Sequence, residues 1–116
     1  MISEESLQLE KAKYYGENNN EKILRATMKS NVEKYLSPDS IVILDSQNYI
    51  KGFRYELHCL ARSAQTTLCV VWMDCPPEEA KQRADTADAE LNRFPPELFE
   101  DYASRMEAPN AAKRWD

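Results

Sequence analysis

Two uninterrupted apolar runs constrain the fold more than any other feature of this chain. Ile41-Val42-Ile43-Leu44 and Leu68 to Met73 are short, rich in β-branched residues and closed by an acid, Asp45 and Asp74 respectively. A strand with one solvated face alternates apolar and polar residues. A run without alternation is covered on both faces and belongs inside a largely parallel sheet. Amphipathic stretches flank both runs. Leu24, Met28, Val32 and Tyr35 recur at helical spacing and predict a helix from Glu21 to about Leu36, before Ser37-Pro38-Asp39. Phe53, Leu57, Leu60, Ala61 and Ala64 form a second stripe. Pro76-Pro77-Glu78-Glu79 reads as a helix start, with proline near the first position and acids in the first turn. The helix it opens, Ala80 to Leu91, has mostly alanines as apolar residues and is expected to lie exposed. Pro95-Pro96-Glu97 starts a last helix with Leu98, Phe99, Tyr102 and Met106 inward and Pro109 as its end. Met1 to Asn20 is polar and reads as a loop or frayed segment.

This alternation predicts an α/β domain with parallel strands, flanking helices and right-handed crossovers. Each apolar strand needs a neighbour on both sides, and two strands cannot supply them. The expectation is a partial domain whose sheet is completed by strands outside these residues.

Composition excludes several classes. With 116 residues, 42% hydrophobic and 30% charged, the chain is one ordinary folded domain. A net charge of -5 makes it no general electrostatic trap for nucleic acid. The two glycines, Gly16 and Gly52, leave no Gly-rich phosphate loop within the chain. Cys59, Cys69 and Cys75 are odd in number, without C-x-x-C spacing, and read as reduced thiols, most of them buried. His58 stands alone, so no zinc-type ligand set is visible. No run reaches the length of a membrane span, and Met1-Ile2-Ser3-Glu4-Glu5 lacks the plan of a signal peptide. Cytoplasm and nucleus are the expected locations.

Three places can carry chemistry. Ile41 to Asp45 has the form of a Walker B strand, an apolar run that delivers a carboxylate to the C-terminal sheet edge, where open α/β folds bind ligands and Mg²⁺. Many parallel strands end in Asp for capping reasons alone. Asp45 to Leu57 then packs Ser46, Lys51, Gly52 and Arg54 into the loop and helix start just beyond that edge; the same residues fit a solvated loop with Gly52 at a turn and Arg54 exposed. Third, Arg105-Met106-Glu107 and Lys113-Arg114-Trp115-Asp116 place Arg beside Trp, which suits stacking and anion binding, or a surface ion pair and one packing tryptophan.

The stretch Asp45-Ser46-Gln47-Asn48-Tyr49-Ile50-Lys51-Gly52-Phe53-Arg54-Tyr55-Glu56-Leu57-His58-Cys59-Leu60-Ala61-Arg62 closely resembles the signature of the killer-toxin-insensitivity, or chromatin-associated, family. Glu21-Lys22 with Leu24-Arg25, Phe99-Glu100, and Arg105 to Asp116 are also similar to it. That family comprises P-loop ATPases that accompany Elongator and are related to the kinase of seryl-tRNA. The resemblance implies a partial P-loop NTPase domain of kinase-like type over residues 1–116, with the first strand and phosphate loop absent and a lid-like segment at 76–93. It implies ATP and Mg²⁺ as the family's cofactors, Elongator and tRNA as partners, and a role in wobble-uridine modification. Asp45 would be the metal-binding acid and Arg114 a nucleotide-binding arginine. Ser46, Lys51, Gly52 and Arg54 would form the signature loop. Ile2 to Leu7 would be the end of the family's second strand region. The lid of this chain lacks the family's Trp-Asn, and Ala112 stands where an arginine is usual. Without the phosphate loop the chain is expected to bind neither ATP nor Mg²⁺ tightly. A non-catalytic short form that binds Elongator or tRNA is the alternative, and a small-molecule or RNA kinase ranks last.

Overall fold

The computed structural model describes residues 1–86 and 93–116. Its order is β1 (Ile2–Ser3), α1 (Lys11–Tyr14), α2 (Asn18–Tyr35), β2 (Leu44–Asp45), α3 (Lys51–Ser63), α4 (Pro77–Asp85), a 3-10 turn (Pro96–Leu98) and α5 (Phe99–Arg105). β1 and β2 pair in parallel, Ile2 opposite Leu44 and Ser3 opposite Asp45. The extreme N-terminus is therefore a sheet strand, not a frayed segment, and α2 starts at Asn18, before the predicted Glu21. The polar composition of Met1 to Asn20 hides this, because β1 contributes two buried residues and then turns.

α2 buries Leu24, Met28 and Val32 as its spacing predicts, whereas Tyr35 is exposed. α3 buries Phe53, Leu57 and Ala61 against it. The core continues into Tyr15, Tyr49, Phe94 and Tyr102, whose rings meet at centroid distances of 5.1 to 5.2 Å. Edge-to-face pairs of this kind add to the apolar burial. α4 buries no residue, in keeping with its alanines. Of the lid-like segment expected at 76–93, residues 87–92 lie outside the described residues.

The apolar runs are where expectation and structure differ. Ile41 is 93% exposed, Val71 74% and Met73 83%. Leu68 to Met73 forms no strand and enters no pairing among the described residues, contrary to the second buried strand expected there. Sequences made to be covered on both faces are here uncovered, which is how the interior of a partial sheet looks. Cys59 and Cys69 are exposed and Cys75 is partly so, against the expectation that most are buried. Cys59 lies off the Phe53–Leu57–Ala61 stripe of α3, and Cys69 lies on the uncovered run. No described helix is long and apolar enough to cross a membrane.

Gly16 closes the turn before α2 at φ +100°, and a Cβ there would come within 2.8 Å of Leu98 Cδ1. Its N–H donates to Tyr102 Oη at 3.1 Å. Gly16→Ala is expected to lower stability by about 1–2 kcal/mol in urea unfolding, from left-handed backbone strain plus displacement of Leu98.

Candidate functional site

Because β1 and β2 are parallel, both end at one edge of the sheet. Glu4 leaves β1 there and Ser46 leaves β2. Ser46 Oγ donates to Glu4 Oε1 at 2.6 Å, and Tyr15 Oη donates to the same oxygen at 2.6 Å. Glu4 is buried by these contacts. Burial, and then the neighbouring Glu4 carboxylate, push the Tyr15 hydroxyl well above the usual tyrosine range, so it stays a proton donor. Asp45, beside them, is exposed, and its carboxylate makes no hydrogen bond or ion pair among the described residues. A cleft of about 800 Å³ opens at this edge, with Glu4, Asp45 and Ser46 among its polar lining and Ile41–Leu44 and Leu68–Met73 among its apolar walls. The two apolar runs thus line one space without pairing across it.

The loop beyond β2 is held from the other end of the chain. Arg54 is only 3% exposed: its Nε donates to Asp116 Oδ1 at 2.8 Å, its Nη2 to Oδ2 at 3.3 Å and its Nη1 to the Asn48 carbonyl at 2.9 Å. The Arg54 guanidinium holds the Asp116 carboxyl below the usual range, over the opposing effect of burial. Asp116 Oδ2 also accepts the Asn110 N–H at 3.1 Å. Glu107 spans the same junction, its N–H donating to the Tyr49 carbonyl at 3.0 Å and its carboxylate accepting the Lys51 N–H. Asn48 takes φ +44°, a left-handed conformation that Asn tolerates, and its Oδ1 is buried with no hydrogen-bond partner among the described residues. Gly52 is no turn residue: it lies in the first turn of α3, and a Cβ there would meet nothing. Arg54, pictured in one reading as exposed, is among the most buried charges. Arg114 is exposed and does not line the cleft beside Asp45.

Sequence reasoning missed the buried polar network on the far side of the loop. Glu21 receives the hydroxyls of Tyr49 and Tyr102, two contacts from Arg105 at 3.3 and 3.5 Å, and Arg25 at 3.6 Å. Burial raises its pKa, but the bonds from Tyr102, Tyr49 and Arg105 prevail and lower it from 4.5 to about 2. The Arg105 guanidinium also lies 4.3 Å from the Tyr102 ring centroid. A signal was present: Glu21 precedes Leu24 and Met28 by three and seven positions, an acid on the apolar stripe of α2.

Among the described residues there is no group of three or more His, Cys, Asp or Glu able to hold a metal. One free carboxylate does fit Mg²⁺, which commonly takes one or two protein carboxylates and completes its shell with water and substrate phosphate. Parallel strands, an acid at their C-terminal edge and an open slot beside it are features of open α/β ligand-binding folds, and a structural match makes the class a partial P-loop NTPase domain. The chain superposes on the crystal structure of Chaetomium thermophilum Kti12 in complex with ADP-AlF3 with a TM-score of 0.86 at 35% identity, covering 99% of this chain and 66% of that one. The family model described as chromatin associated protein KTI12 matches residues 1–116, and the chain belongs to that family. Protein KTI12 of Saccharomyces cerevisiae is 42% identical over 114 residues, covering 98% of this chain and 36% of the relative. Protein kti12 of Schizosaccharomyces pombe is 38% identical over 116 residues, covering 100% and 40%. The chain thus spans roughly two fifths of these curated relatives' length.

Proposed function

We propose that these residues form the metal-binding half of an ATPase domain that works with Elongator in modifying the wobble uridine of tRNA, and that they hold no nucleotide by themselves. The observation that carries the nucleotide part is Asp45: an unengaged carboxylate at the end of a parallel strand, facing a cleft beside an unpaired sheet edge. Its likeness to a protein crystallised with ADP-AlF3 supports the same reading. Mg²⁺, when bound, would neutralise phosphate charge. Asp45 would hold it directly or through water, and the buried Glu4–Ser46–Tyr15 contacts would keep the strand end in place. The backbone N–H groups and lysine that cradle the phosphates must come from a Gly-rich loop these residues lack. The association with Elongator and tRNA rests on family membership.

The test is a chimera in which the first strand and phosphate loop of a family member precede Met1. MgATP is expected to raise its melting temperature, and Asp45→Ala to abolish that rise while leaving the melt without nucleotide within about 0.5 kcal/mol of the parent, as for an exposed, unpartnered side chain. Unaltered ATP protection in Asp45→Ala would remove Asp45 from the metal site.

A further inference from the structure

Glu4 is 3% exposed, yet its carboxylate meets no cation within ion-pair distance among the described residues. The cations that line the cleft with it are engaged elsewhere, Lys11 with Glu5 at 3.8 Å and Arg54 with Asp116 at 2.8 Å. Glu21, similarly buried, draws Arg105 at 3.3 Å and Arg25 at 3.6 Å. A carboxylate taken out of water is normally paired with a cation or bound to a metal, because its lost hydration is otherwise uncompensated.

The hydrogen bonds of Glu4 are also one-sided. Ser46 Oγ and Tyr15 Oη both donate to Oε1, and Oε2 receives no hydrogen bond among the described residues. The two hydroxyls orient the group but bring no positive charge. Its backbone is fixed as well, since the Leu9 N–H donates to the Glu4 carbonyl at 2.7 Å. Ser3 lies opposite Asp45 in the parallel register, so Glu4 leaves β1 one residue beyond the position that Asp45 occupies on β2. Both acids line the same cleft. An oriented, buried carboxylate with one oxygen to spare therefore stands on the strand next to Asp45. Mg²⁺ commonly takes one or two carboxylates and keeps several waters, which donate to acceptors around it.

We propose that Glu4 is the second acid of the metal edge, its Oε2 accepting from the water shell of Mg²⁺ while Ser46 and Tyr15 position it through Oε1. This rests on the reading that Asp45 binds Mg²⁺ with ATP, and adds the group that shares the ion's charge. Because both hydroxyls meet one oxygen, Glu4→Gln can keep both bonds at Oε1 and lose only the charge and the acceptor at Oε2. The test is thermal unfolding of the chimera described above, without ligand, with ATP and EDTA, and with ATP over a Mg²⁺ titration. Glu4→Gln is expected to raise the ligand-free melting temperature by about 2–4 °C, since it removes a buried charge that has no partner. It should raise the Mg²⁺ concentration for half-maximal ATP protection about tenfold. Tyr15→Phe, which frees Oε1 of one bond, should raise that midpoint less. Loss of a merely structural contact would lower the ligand-free melting temperature and leave the Mg²⁺ midpoint in place, and that pattern in Glu4→Gln would overturn the proposal. An unchanged midpoint in Glu4→Gln, with Asp45→Ala still abolishing ATP protection, would overturn it and leave Asp45 as the metal acid. Midpoints unchanged in both variants, or no protection of the parent chimera, would remove both readings.

Discussion

Arg54→Ala is expected to lower the unfolding free energy of this chain by about 3–5 kcal/mol, the largest effect of any single substitution considered. The reason is asymmetry. Arg54 is 4% and Asp116 0% exposed in their side chains, so removing the guanidinium empties a buried position and leaves the carboxylate without its counter-charge. It also frees the Asn48 carbonyl, which Arg54 holds in a left-handed turn. Arg54→Lys should recover only part of the loss, because an ammonium cannot meet both carboxylate oxygens and the carbonyl with one planar fork. Asp116→Asn should cost a comparable amount by leaving the cation underpaired. The cycle of Arg54→Ala, Asp116→Ala and the double variant measures the coupling: the double should cost clearly less than the sum of the singles. Additive losses in urea unfolding would show that the pair is not a unit.

The second large effect is at Glu21. Its folded pKa is about 2 against an ordinary 4.5, so the ionised form is favoured by folding. That contribution is complete above about pH 4.5 and is lost as pH falls toward 2. The shift corresponds to roughly 2–3 kcal/mol for a side chain as enclosed as this one. Tyr102 donates to Oε1 and Tyr49 to Oε2, so Glu21→Gln keeps an acceptor oxygen for only one of the two hydroxyls and loses the charge that Arg105 and Arg25 face. A loss of roughly 2–3 kcal/mol at pH 7 is expected, shrinking as pH is lowered from 4.5 toward 2 in both chemical and thermal unfolding. A difference between parent and variant that stays constant across that window would mean Glu21 is not the titrating anchor.

Both predictions concern residues that organise the loop after β2, and they show what the sequence could and could not disclose. Helices α2 and α3 were legible because periodic apolar residues bury one face whatever the tertiary context. The all-apolar runs disclosed an incomplete sheet for an equally local reason: Ile41 and Val71 are too apolar for the solvent they meet here. Asp45 was legible from its place at the end of such a run. β1 was not legible from periodicity, since two paired residues leave no period to read, although the family resemblance placed the end of a strand at Ile2 to Leu7. Arg54 was also opaque. Nothing within its helix says that its partner lies 62 positions away at Asp116. The same holds for Tyr102, which reaches Glu21 across 81 positions. Long-range polar pairs leave little trace in a single sequence except a charge on an apolar stripe, and Glu21 carried that trace. The signature from Asp45 to Arg62 identified the family without showing that its arginine is a buried clamp.

In the function proposed above, these residues supply the metal edge of a nucleotide site and not the phosphate cradle. Thermal unfolding of the chain, alone and titrated with ATP and Mg²⁺, with Asp45→Ala in parallel, tests it most directly. A melt that ATP and Mg²⁺ do not shift, and that Asp45→Ala leaves unchanged, is expected. A melt that ATP moves upward, and that Asp45→Ala renders insensitive to ATP, would contradict the proposed division of the site.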